Sequence, residues 1–448
     1  MFDFLQSIFA FILTIGILVT VHEWGHFQMA RWLNVKILCF SIGFGKPLWQ
    51  KQWGKDNTTF QIAAIPLGGY VKMLDAREGD VAENELSREF NQQSLFARSL
   101  IVVAGPLVNL IFAILVYIVM YMTGIVGTKP VIGFVEPTSI VADAGLAVGD
   151  RIIKVNDTLT PHWQSVQQAV LQQRLDSDSL ALTFINKAGK TQRVVLSMHS
   201  FSLNDLAKRS VFKQLGFDRK RPPALLGELL ADGPADKAGL QQGDKIIQVD
   251  DTLINNWYDW VLIIQENPLK ALNVKFIRNE RVETRVVTPD NKENKGLVGV
   301  RFGGEWPPED YSHIERYGLQ SAVSHALQKT WDVTWLSLRM MGKMLTLDIS
   351  LEHISGPITI ADFAGQSLSM GWQSFFTFIG LISISLGIMN LLPIPMLDGG
   401  HLLLYLVEAV KGSPLSPMAE SIFLRFGVSV LILLMGLAFY NDFNRLLG

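Results

Sequence analysis

Residues 22–26 read His-Glu-Trp-Gly-His. On a helix His22 and His26, four apart, share a face, and Glu23 stands beside them. Two imidazoles at that spacing bind zinc, and a glutamate after the first serves as general base for hydrolysis. The setting sharpens the reading. Phe4 to Val21, just before the motif, carries no charge, and ionisable groups in such a segment are costly without a task. The plainer alternative, two histidines satisfied by neighbouring helices, leaves Glu23 unpaired in apolar surroundings. A catalytic zinc usually takes three protein ligands and keeps one position open. The next helical turns offer only Met29 and Trp32, and no carboxylate follows Glu23 until Asp56. The third donor must come from another segment, and Asp398 in "NLLPIPMLDGGH" is the acidic residue beside an apolar stretch. Pro393 and Pro395 break a helix there, and Gly399-Gly400 permit an irregular turn that aims a carboxylate sideways. Alone, Asp398 would equally serve as N-cap of a helix from about His401 to Val410. Beside an incomplete two-histidine site it reads as the third ligand, and His401 does not.

Membrane-spanning helices must position these groups. Of 448 residues 49% are hydrophobic and 18% charged, too apolar for an ordinary soluble chain, and the net charge of -2 gives no footing for nucleic acid. Four stretches suit a bilayer: about 4–26, 99–123, 373–397 and 422–440. The first has no basic n-region and no A-x-A-like cleavage site, so it is expected to be retained. A single cysteine, Cys39, excludes an intrachain disulfide framework. The expected order is a first helix in 1–33, a loop 34–97, a second helix in 98–124, an insert, a segment 311–372, a third helix in 373–412 and a fourth in 421–441. The loop 34–97 is rich in Lys and Arg, so it is expected in the cytoplasm with both termini and the insert on the other side, the inverted topology being the alternative.

The insert repeats itself. "DAGLAVGDRIIKVND" (143–157) and "DKAGLQQGDKIIQVDD" (236–251) align at an offset of 94, which also carries Trp163 onto Trp257. Each copy has a Gly-Asp turn, a β-branched strand and a helix-like stretch after the Trp. The pattern resembles PDZ domains, here expected at 127–220 and 221–310, which bind extended peptides at a sheet edge; inert α+β spacers are the alternative. In the cytoplasmic loop, alternating segments within 37–45 and 58–73, with Gly43, Gly45, Gly68 and Gly69, read as a glycine-rich β-hairpin. Residues 322–347 mix apolar clusters with Lys329, Arg339 and Lys343, and read as an interfacial amphipathic helix or a core helix of the insert.

Together the motifs resemble the site-2 intramembrane zinc metalloproteases, on the bacterial branch. The resemblance spans nearly the whole chain: H-E-W-G-H, "FSIGFGKPLW", "IPLGGYVKM", "AGPLVN", the two PDZ-like repeats, "SGPI" at 355–358 and N-x-x-P-x-P-x-L-D-G-G-H at 390–401. It implies a polytopic α-helical membrane protein with four spans, two inserted α+β PDZ domains and a cytoplasmic, membrane-reentrant hairpin. It implies Zn2+ held by His22, His26 and Asp398, with Glu23 as base. Asn390 matches the family pattern for substrate contact, while Ser385 departs from the Asn found in some relatives. The hairpin that carries Gly43, Gly45, Gly68 and Gly69 is expected to hold substrate as an added strand at its edge, an ordinary cytoplasmic hairpin being the alternative. The implied substrates are single-span membrane proteins already trimmed on the periplasmic side, an anti-sigma factor and leftover signal peptides among them, cut in the bacterial inner membrane. A membrane-anchored PDZ scaffold without proteolytic activity is the competing class, and it would predict erosion of Glu23 or of a ligand.

Overall fold

A long uncharged run without proline forms the first helix of the computed structural model, span 1 (Phe2–Trp32). Residues 2–77, 79, 81–199, 201, 211–292, 294–304 and 311–447 are described. The chain divides into a membrane unit, Met1–Ile125 with Glu315–Gly448, and an inserted unit, Val126–Ile314. Asn34 ends span 1 at φ +60, a left-handed conformation that asparagine tolerates, while Val35 N–H closes back onto the Ala30 carbonyl. His22, Glu23 and His26 therefore sit inside the helix, two turns from its end.

The loop after span 1 is a sheet more doubled back than a simple hairpin. Strands Ile37–Trp53 and Thr58–Met73 pair so that Phe40 faces both Val71 and Phe60, and Ser41 both Tyr70 and Gln61. Segment 37–42 thus lies between 58–62 and 69–73, and 49–53 lines the far side of 58–62. Gly43, at φ +93, makes the bend, where an added Cβ would meet the Ile65 carbonyl oxygen at 2.9 Å. Arg88 ties the turn end down through a bidentate pair with Asp56 at 2.8 and 2.6 Å.

Span 2 (Leu95–Thr123) opens on Ser94, whose hydroxyl accepts from Ala97 N–H, and closes on Gly124 at φ +102. It packs on span 1 closely: a Cβ at Gly25 would meet the Ala104 carbonyl oxygen at 2.5 Å.

In the inserted unit the repeat has a structural counterpart. Strand 151–155 lies between 158–159 and 179–185 with 191–197 beyond, and 245–249 lies likewise between 252–253 and 272–278 with 281–287 beyond. The shared Gly-Asp turn has one construction in both copies. Gly149 and Gly243 take φ of +97 and +92, and the carboxylates of Asp150 and Asp244 accept from the backbone of Ala147 and Gln241. Each copy closes its own core, around Trp163 and Phe184 in the first and Trp260 and Phe276 in the second. The expected end of the second repeat at 310 lies outside the described residues.

The chain returns to the membrane unit in an amphipathic helix (Leu319–Leu345). Its stripe of Ala322, Ala326, Thr330 and Val333 is buried, and it packs on span 2. The opposite face shows Trp331 and Trp335 stacked with centroids 6.4 Å apart. A shorter helix (Pro357–Ser369) begins in the SGPI stretch, and its free N–H groups are capped by Asp442 of span 4 (Pro417–Leu447), which accepts from Gly356, Ile358 and Thr359.

Span 3 runs Trp372–Leu391 and stops well short of the 397 or 412 read from sequence. Pro393 has no N–H and disfavours helix in the residue before it, so the chain turns through 392–397, with Met396 at φ +78. A new helix starts at Asp398 and ends at Lys411 (the donor helix), with Gly412 at φ +75 as its cap. The helix thus begins three residues before the expected His401. Its N-cap is Leu397, and Asp398 lies inside its first turn. Among the described residues, four helices are long and apolar enough to cross a membrane: Leu5–Trp32, Leu95–Thr123, Trp372–Leu391 and Met418–Arg445.

Candidate metal centre

Three side chains converge where spans 1 and 2 meet the start of the donor helix. His22 Nε2 lies 3.2 Å from His26 Nε2, and Asp398 Oδ2 lies 3.1 Å from the first and 3.5 Å from the second. Both histidines are buried, and Asp398 Oδ2 is buried with no hydrogen-bond partner. Three lone-pair donors brought this close repel one another unless a proton or a cation lies between them. Zinc fits that demand in number and in size. Tetrahedral bonds of about 2.0–2.2 Å place ligand atoms about 3.3–3.6 Å apart, and the donor set of two imidazoles and one carboxylate is one that catalytic zinc uses.

Backbone and glycine hold the rings. His26 Nδ1 donates to the carbonyl of Ile101 at 2.8 Å, which leaves its Nε2 lone pair facing the other donors. Gly105 makes room: a Cβ there would meet His26 Nε2 at 2.3 Å and His22 Cε1 at 2.9 Å. Asp398 is aimed by its own short helix, whose Gly399 and Gly400 lie against the backbone of Leu391–Leu392 and of Ile394. That helix is tied to span 2 by Arg98, which pairs with Glu408 at 2.8 Å and lies over the Tyr405 ring. Both charges are largely buried, so each needs the other to remain satisfied.

The remaining residues singled out in the sequence take separate places. Glu23 lies next to His22 but outside the converging donors, and so does His401. Gly69 brings the sheet edge 69–73 onto span 1 at Glu23: a Cβ there would meet Ser41 O at 2.7 Å, Val19 Cγ1 at 2.8 Å and Glu23 Cγ at 3.0 Å. Gly68 lies under the Phe44 ring, and Gly43 and Gly45 stand at the bend of the first strand. Asn390 is half-buried in the last turn of span 3, and the Ser385 hydroxyl donates to the Leu381 carbonyl in its own helix. Ile101, Gly105 and Asn109 were not singled out one by one, although the last two belong to "AGPLVN". A span with no charge after Arg98 that carries a lone Asn after Gly-Pro was the available signal.

A buried two-histidine, one-carboxylate donor set among apolar helices of spanning length, beside a glutamate in H-E-x-x-H, defines a membrane-embedded zinc metallopeptidase. Comparison with known proteins agrees. The chain matches the model of peptidase family M50 over residues 10–434. It is 39% identical over 454 residues to the regulator of sigma E protease of Salmonella typhi, with 100% of both chains covered. It is 38% identical over 456 residues to the regulator of sigma-E protease RseP of Escherichia coli (strain K12), again with 100% of both covered. A Vibrio cholerae protein named as a zinc metalloprotease is 40% identical over 457 residues at the same coverage. The chain belongs to peptidase family M50, the site-2-type zinc metalloproteases.

Proposed function

We propose that this protease cuts the transmembrane segments of single-span proteins already shortened outside the membrane, with His22, His26 and Asp398 holding the zinc and Glu23 as general base. The observation that carries the site assignment is the convergence of the three donor atoms in a buried setting, at 3.1, 3.2 and 3.5 Å, within about 0.2 Å of tetrahedral separations. Relatives named for regulating sigma E support an anti-sigma factor of an envelope stress response as one substrate, with leftover signal peptides as another. The bacterial inner membrane is the site of action, with the loop 34–97 cytoplasmic by its basic residues and the inserted unit opposite.

Bound zinc supplies a Lewis acid that lowers the pKa of water towards about 7 and polarises a carbonyl. Glu23 takes the proton of the attacking water and returns it to the departing amine. A transmembrane helix offers no free carbonyl, because each is tied into i to i-4 bonds, so the substrate must unwind first. The edge strand 69–73 beside Glu23 supplies ladder partners for the unwound stretch, which replaces the helical bonds it loses. Asn390, half-buried where span 3 ends, would contact the same stretch. The two inserted repeats act as PDZ domains that screen substrates before they reach the bilayer.

Cleavage of a model transmembrane segment by the purified full chain tests the reading. Stripping the metal with a chelator should abolish cleavage, and stoichiometric Zn2+ should restore it. Cleavage that persists in metal-free protein would overturn the assignment.

A further inference from the structure

Asn109 is fully buried in span 2, one helical turn beyond Gly105. Its side-chain amide lies 3.2 Å from His22 Nδ1, on the opposite side of that ring from the donors, and its Oδ1 is buried with no partner. Its backbone carbonyl accepts from the Ser383 hydroxyl of span 3 at 2.8 Å, so the residue is fixed from a third helix. The two histidines are thus held by different means. His26 Nδ1 faces a backbone carbonyl, which can only accept, and its tautomer is set regardless of side chains. His22 must carry its proton on Nδ1 as well, since its Nε2 faces His26 and Asp398. A neighbouring NH2 cannot accept that proton. The oxygen and nitrogen of an amide have nearly the same shape, so turning the group over brings the orphaned Oδ1 opposite His22 Nδ1–H.

We propose that Asn109 is a positioning residue for the metal centre: its Oδ1 accepts the Nδ1–H of His22, fixing the tautomer and ring angle that present Nε2 to zinc. The inference rests on the reading of His22, His26 and Asp398 as the zinc-binding set. Asn109→Leu keeps the size of the side chain and removes the acceptor, while Asn109→Asp keeps both shape and acceptor.

The test is zinc affinity of the full-length protein in detergent, measured by competition with a chromophoric chelator, together with the visible spectrum of the Co2+-substituted protein. Asn109→Leu should bind zinc about 10–100-fold more weakly and show altered cobalt bands. Asn109→Asp should return both towards wild type. Thermal unfolding of the metal-free proteins checks the fold, and Asn109→Ala replaces a leucine variant that fails it, with the same expectation. Wild-type affinity and cobalt spectrum in the acceptor-free variant would overturn the role of Asn109 alone. An equally weak, correctly folded Asn109→Asp would also overturn it. A wild-type protein that binds no zinc would instead overturn the site on which the inference stands.

Discussion

The division of labour between Glu23 and Asp398 can be separated by what each variant keeps. Glu23 lies outside the converging donors, so Glu23→Gln should retain full zinc occupancy while proteolysis falls by about 10²–10⁴-fold or more. Zinc loss in that variant would make the glutamate a ligand. Asp398 contributes the unpartnered oxygen of the triad, so Asp398→Ala should lose most of the metal and the activity together. Metal analysis beside a cleavage assay reads both. Gly105 makes a steric counterpart: in Gly105→Ala the new methyl would enter the space of both imidazoles, so zinc affinity should drop although no donor is changed. Unchanged affinity there would mean that spans 1 and 2 separate readily. At this scale the convergence of His22 and His26 was legible in the sequence because i, i+4 spacing is local. Asp398 was legible by elimination. Ile101, Gly105 and the contact of Asn109 were not, because they depend on how closely two helices approach, which no spacing in one segment records.

Among the elements, the break after Leu391 does the aiming. One continuous helix through 412 would carry Asp398 past the histidines along its axis, whereas the turn at 392–397 lets a fresh helix start with that carboxylate. Pro393 announced a break, but not that the new helix would begin at Asp398 itself. The doubled pairing of the loop was also beyond reach of the sequence. Alternation marks strands, yet it cannot say that Phe40 and Ser41 each face two partners. That sheet makes a prediction of its own. Gly69→Ala puts a methyl against Ser41 O, Val19 and Glu23, which should push the edge strand off span 1. Zinc should stay bound, while cleavage falls by about 10–100-fold as the reacting groups shift. Cleavage within twofold of wild type would remove the sheet edge from the mechanism.

For the whole molecule, the question is how a protease whose site lies among apolar helices rejects most membrane segments, which are chemically alike. Discrimination is better made outside the bilayer. The inserted unit, two similar folds between spans 2 and 3, is suited to a steric filter, since a pair obstructs bulky ectodomains more widely than one peptide site requires. Replacing 128–305 with a flexible linker should leave zinc binding intact and allow cleavage of substrates that still carry a folded ectodomain. Loss of cleavage of pre-trimmed substrates, with zinc retained, would show that the unit delivers substrate instead.

The donor triad also has a history during synthesis. Asp398 follows His26 by 372 residues, so the ribosome builds both histidines long before their carboxylate partner exists. At about 5–20 residues per second that interval lasts roughly 20–70 s. Throughout it the nascent chain would lack the third of the proposed zinc donors. With Asp398 as the proposed third donor, competence to hydrolyse would arrive only when translation has passed the third span, so the enzyme would be inert for most of its own synthesis.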